Sequence, residues 1–151
     1  MDGSRLKQWD KKVRILERGP MLIPPKVNSE VLAMTDKPLI VSHTGFKGHC
    51  DTPRNISDDT MKAIAAEGGL IGVGFWDAAI CDVNVAGIVD AIRYGIDLVG
   101  EDHVALGSDY DGSTTTPFDT SGLLLLTTEM LARGFTENEI RKVMGLNLVR
   151  L

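Results

Sequence analysis

Aromatic residues are scarce in this 151-residue chain, at 5%, and cysteines number only two. Two cysteines cannot make the disulfide framework of a small secreted scaffold. Cys50 and Cys81 form no C-x-x-C pair, so no structural zinc knuckle is indicated. The expectation is two free thiols in a reducing cytoplasm. No window approaches 18 unbroken apolar residues, so a membrane span is not expected. The start of the chain, Met1-Asp2-Gly3-Ser4-Arg5, is too polar for a signal peptide. Positive charge is also in deficit. Sixteen basic against 21 acidic residues give a net charge of −5, and nucleic acid is not an expected partner. The basic residues Arg5, Lys7, Lys11, Lys12, Arg14 and Arg18 read as one solvated helix face. Finally, the chain is too short for a closed eight-unit β/α barrel, which takes roughly 250 residues.

What is present is glycine, 16 residues of it, in a chain that is 43% hydrophobic and 25% charged. This is the composition of a globular domain with many tight turns, and neither disorder nor a collagen-like repeat fits it. The length suits one domain with its own core. Leu6, Trp9, Val13 and Leu16 are spaced for an amphipathic helix over about 5–18, stopped by Gly19-Pro20. Met21-Leu22-Ile23 is a short apolar run cut by Pro24-Pro25, and Ser29 can cap a short helix through Met34.

From there the pattern alternates. Apolar runs at 38–43, 70–75 and 103–108 read as strands, and their beginnings near Leu39, Leu70 and Val104 are 31 and 34 residues apart. That is the size of one β/α unit of a parallel sheet. The strands are continuously apolar, as when both faces are covered. Helices are predicted between them. One starts at Ser57 and ends at Gly68-Gly69; a second runs from Val85 to Leu98. A third runs from Leu123 to Arg133, and a last one opens on Thr136-Glu137-Asn138-Glu139, which has capping-box spacing.

In parallel α/β folds, ligands bind beyond the carboxyl ends of the strands. The polar residues gather there: Ser42-His43 after the first strand, Trp76-Asp77 after the second, Ser108-Asp109-Tyr110-Asp111-Gly112 after the third. His43 suits a metal ligand or an acid/base group, or simply a histidine hydrogen-bonded at a loop entry. Asp109 and Asp111 alternate in what reads as an extended segment, which would point them to opposite sides. Arg54 could hold a carboxylate or phosphate in a two-pronged contact, or be a surface arginine.

Other motifs are incomplete. Asp-x-Asp-Gly begins like a calcium loop, but the further oxygen ligands and distal Glu are missing. Gly72-Val73-Gly74 starts a G-x-G-x-x-G, but Asp77 occupies the third glycine's place. No G-x-x-x-x-G-K-[ST] phosphate loop occurs, and no G-x-S-x-G context supports a nucleophilic serine. His49 and Cys50 near His43 could form a small metal cluster, although a flexible connection is the simpler reading.

Five segments together resemble one family. They are Val41-Ser42-His43-Thr44-Gly45, Cys50-Asp51-Thr52-Pro53-Arg54-Asn55-Ile56-Ser57-Asp58-Asp59, Gly74-Phe75-Trp76-Asp77, Leu106-Gly107-Ser108-Asp109-Tyr110-Asp111-Gly112 and Ile140-Arg141-Lys142-Val143-Met144-Gly145-Leu146-Asn147. In this order they resemble the bacterial type of the membrane (renal) dipeptidase family, the M19 metallopeptidases, from about Val31 to Leu151. The resemblance implies a β/α TIM-type barrel with two zinc ions at its mouth and a dipeptide as substrate. It implies that His43 is a zinc ligand, that Arg54 grips the substrate's terminal carboxylate, and that Asp109 shuttles the proton while a metal-bridging water attacks. Such chemistry is physically coherent: paired cations acidify the water, a carboxylate returns the proton, and an arginine fixes a short substrate.

The departures define the expectation further. The family's His-x-Asp motif, its bridging Glu and its second His have no counterpart here, leaving one of five metal-binding side chains. One imidazole cannot hold two zinc ions. The expectation is thus one truncated domain over 1–151, corresponding to the C-terminal half of a barrel, inactive or incomplete alone. It would work with a missing N-terminal half from another chain, or persist as a non-catalytic half-barrel that self-associates through open sheet edges. Another metal-dependent hydrolase on the same barrel is a further alternative.

Overall fold

In a computed structural model, residues 14–16 and 37–151 are described. Four parallel strands make one sheet in the order β1-β2-β3-β4: β1 Arg14–Leu16, β2 Leu39–Thr44, β3 Leu70–Val73 and β4 Val104–Leu106. Helix α1 (Asp58–Ala66) links β2 to β3, and α3 (Val85–Val99) links β3 to β4. A short helix α2 (Asp77–Ile80) follows β3 directly, and α4 (Leu123–Ala132), α5 (Glu137–Arg141) and α6 (Asn147–Arg150) follow β4. The three expected strands are therefore present and parallel, with the two expected crossover helices between them.

Local chemistry explains most boundaries. Ser57 accepts a hydrogen bond from the Thr60 amide, and Asn84 accepts one from Gly87, so each caps a helix start. The Thr136–Glu139 capping box closes in both directions. The last helix departs from its expected form. It runs as α5, a kinked segment Lys142–Leu146, and α6, because Gly145 breaks the helix at φ 155°. Buried Asn147 holds this end in place, its amide donating to the carbonyls of Glu101 (2.7 Å) and Val104 (2.9 Å) at the start of β4.

The helix expected over 5–18 is corrected at Arg14–Leu16, which pairs in parallel with Leu39–Val41. Ladder hydrogen bonds to β2 override a periodicity that suits either state in so short a segment. The remainder of that helix, the basic face except Arg14, the Met21-Leu22-Ile23 run and the Ser29 helix lie outside the described residues.

Alternation along the strands builds the core. Leu39, Val41, Ile71, Val73 and Val104 join Met61, Ile64, Ile88 and Ile92 of the helices in one fully buried cluster. Ile40 and Leu70 form a smaller cluster with Ala105 and Leu151. One irregularity interrupts the ladder. Val41 pairs with Ile71, but Thr44 pairs with Val73, so β2 carries one extra residue across Ser42-His43. This bulge presses the Ser42 carbonyl onto Gly72, where a Cβ would lie 2.2 Å from that oxygen. The glycine inside β3 serves close backbone approach, as at other strand bulges.

Candidate active site

The ends of β2, β3 and β4 converge on one group of side chains. The bulge delivers His43, whose Nδ1 lies 2.9 Å from Ser42 Oγ. The turn after β4 delivers Asp109, whose carboxylate Oδ1 is 3.9 Å from His43 Nε2. Asp109 is not in an extended segment as expected. It sits at φ 59°, in the left-handed region, and its carbonyl accepts from the Gly112 amide and the Thr114 hydroxyl, both at 3.0 Å. Asp tolerates that conformation better than most side chains, yet holding it still costs about 1 kcal/mol or more. The turn brings Asp109 to His43 and leaves Asp111 exposed.

After β3, Trp76 is almost fully buried. The His43 ring packs against it in a T-shaped arrangement, at a centroid distance of 5.9 Å and an interplanar angle of 66°. The Arg54 guanidinium carbon stands 5.0 Å from the indole centroid. Burial lowers the Arg54 pKa, and the negative charge of Asp109 partly offsets this. His43, Asp109, Arg54 and Trp76 thus share one site built from three strand ends. Phe75 backs it, packed on Tyr110 and Phe118.

Arg54 reaches this site because its loop is tied to α2. Thr52 Oγ1 donates to the Ala78 carbonyl at 2.7 Å, and the buried Asn55 amide donates to Cys50 (2.8 Å) and Ala79 (3.0 Å). Cys50 and Cys81 are joined by a disulfide, with Cα atoms 5.7 Å apart. The expectation of free thiols is corrected here. Folding the β2 loop onto α2 brings together two residues 31 apart in sequence, at a separation suited to a bridge. The bond also removes Cys50 from any metal cluster. His49 does not reach the site and lies instead against Tyr94, at a ring distance of 6.1 Å. Asp77 is exposed and turns back on its own helix, accepting from the Ala78 amide.

Sequence reasoning placed Trp76 at a strand end but gave it no role, and it overlooked Asn55, Thr52 and the disulfide. The Gly74-Phe75-Trp76-Asp77 run offered the available signal, because a glycine two residues before a tryptophan leaves room for its ring.

The matches to known proteins follow the same segments. The family model for membrane dipeptidase, peptidase family M19, matches residues 25–151. The chain belongs to the M19 membrane dipeptidase family. An uncharacterised protein from the pqqA 5' region of Klebsiella pneumoniae is 36% identical to this M19 chain over 123 residues, covering 76% of this chain and 45% of that protein. The dipeptidase ataJ of Aspergillus terreus is 34% identical over 130 residues, covering 81% of this chain and 32% of its own. Among solved structures, a Rhodobacter sphaeroides metallopeptidase bound to a phosphinate mimic of the dipeptide L-Ala-D-Ala superposes with a TM-score of 0.74 at 28% identity, covering 80% of this chain and 37% of that one. The M19 chain thus spans less than half the length of each of these relatives.

Metallopeptidase chemistry implies a metal, and the side chains present can be tested against it. His43 and Asp109 are the two potential donors that meet. Their neighbours, an arginine cation and an indole, are not ligands. Among the described residues, no group of three or more His, Cys, Asp or Glu gathers to hold a metal ion. This donor set does not fit a two-metal centre, which needs several ligands for each ion.

Proposed function

We propose that this M19 chain carries the substrate-gripping and proton-handling part of a zinc-dependent dipeptidase. The four parallel strands stand for half of an eight-stranded barrel, and the metal ligands other than His43 belong to the other half. Arg54 grips the terminal carboxylate of a dipeptide, His43 is the one zinc ligand contributed from these strands, and Asp109 takes and returns a proton. The observation that carries this reading is the convergence of His43 of β2, Arg54 of the loop that follows it and Asp109 after β4 around Trp76 at the end of β3, while no metal-binding group assembles among the described residues. Strand ends are where such folds place chemistry. A guanidinium suits a carboxylate through two parallel hydrogen bonds, and a carboxylate beside an imidazole can hold a proton in passage.

The reading predicts that the isolated chain neither retains two zinc ions nor hydrolyses dipeptides. Dialysed protein analysed for metal, then assayed with dipeptides in added zinc, tests it. Stoichiometric zinc near two per chain together with turnover would overturn it. Turnover that appears only when an M19 N-terminal half is supplied would support the division of labour.

A further inference from the structure

We propose that Trp76 is a positioning residue of this site, whose indole holds the Arg54 guanidinium over its ring and the His43 imidazole in a T-shaped contact. It thereby fixes where the carboxylate grip stands relative to the His43 imidazole. The inference rests on the reading of Arg54 as a carboxylate grip and adds what holds that grip in place.

Three observations support it. First, Gly74 leaves room for the ring. The indole folds back over Gly74, where a Cβ would lie 2.1 Å from the indole Cζ3, so any side chain at position 74 would expel it. Second, its backbone is anchored. The Trp76 carbonyl accepts from the amides of Ala79 (3.0 Å) and Ile80 (3.1 Å) at the start of α2. Third, the loop carrying Arg54 is bolted to the same helix by Thr52, Asn55 and the Cys50–Cys81 bridge. Arg54 and Trp76 therefore meet across one braced junction, and His43 contacts the same indole from β2.

An indole is the best aromatic partner for a cation, and the contact strengthens where water is excluded. The lowered pKa of Arg54 from burial is consistent with such a place. A flexible arginine held against a plane loses less freedom when a carboxylate arrives, which strengthens binding of that carboxylate. Because His43 and Arg54 contact one ring, loss of that ring releases both side chains together.

The test uses the full chain with Trp76→Leu and Trp76→Phe, read in two ways. In the ligand-free protein, ring currents should shift the side-chain NMR signals of Arg54 and the ring protons of His43. These shifts should vanish in W76L and shrink in W76F. In binding, alanyl-alanine should be preferred over its C-terminal amide, and W76L should lose about tenfold of that preference (about 1.4 kcal/mol), with W76F intermediate and amide binding unchanged. Wild-type protein that does not distinguish the dipeptide from its amide refutes the carboxylate grip alone, and the ligand-free shifts then decide the role of Trp76. Shifts absent from the wild type, or unchanged in W76L, overturn the proposal. If W76L does not fold, W76F decides: Arg54 signals identical to wild type overturn it, and diminished shifts support it.

Discussion

Breaking the Cys50–Cys81 bridge is the sharpest test of the fold that carries the site. The bond closes a loop with a sequence separation of 31 residues. In the chain-entropy model, a loop of that size restricts the unfolded state by about 3.7 kcal/mol at room temperature. That is a large share of the roughly 5–15 kcal/mol that holds most domains together. Cys81 is exposed, so Cys81→Ser loses little packing, while Cys50→Ala removes a buried sulfur and adds a small packing loss that the reduced wild type does not share. With a urea dependence of about 2 kcal/mol per molar, the unfolding midpoint should fall by about 2 M. Loop β2–α1 should stay docked at first, because Asn55 and Thr52 still bind α2. Urea titrations of the oxidised wild type, the reduced wild type and the double variant provide the assay. A stability change below about 1 kcal/mol would refute the claim that the loop gains its stability from the cross-link. Two thiols that alkylate freely in unreduced, folded protein would refute the bond itself.

Two further outcomes can be measured. Asn55→Ala removes two buried hydrogen bonds and leaves the Ala79 carbonyl short of a donor, while the Cys50 carbonyl keeps the Thr52 amide; it should cost about 2 kcal/mol in chemical denaturation. Tyr94 donates to Asp58 at 2.7 Å, and burial together with that carboxylate pushes its pKa up to about 12. The unfolded chain then loses this proton near its ordinary value of 10 while the folded chain retains it. Stability should therefore decline as pH rises from about 10 towards 12, and Tyr94→Phe should flatten that limb of a pH–stability profile.

Much of the fold was legible because its signals are local. Ser57, Asn84 and the Thr136–Glu139 box lie within one turn of the amides they cap. The three apolar strands announce themselves by composition, and their spacing dictates parallel pairing. What was illegible depends on pairing across distance. Arg14–Leu16 fits a helical period and becomes a strand only because Leu39–Val41 stands beside it. Nothing in the positions of Cys50 and Cys81 reveals that the loop folds onto α2. Asp109 reads as part of an extended run, whereas its neighbours close a turn that places it at positive φ. The site followed the same division. His43, Arg54 and Asp109 were visible as strand-end and loop polar groups, but the ring of Trp76 that His43 and Arg54 both contact joins them only in three dimensions.

The bulge at Ser42-His43 has a consequence for how this chain tolerates changes in length. The pairs on either side of it, Val41 with Ile71 and Thr44 with Val73, are fixed by the core. Deleting one residue between them would restore a regular ladder, so the sheet would accept the shortened strand more readily than a deletion elsewhere in β2. The same deletion would re-aim the imidazole, since its direction depends on the surplus residue. Position 42–43 is thus a point where a one-codon loss should spare folding while moving the imidazole away from Trp76 and Asp109.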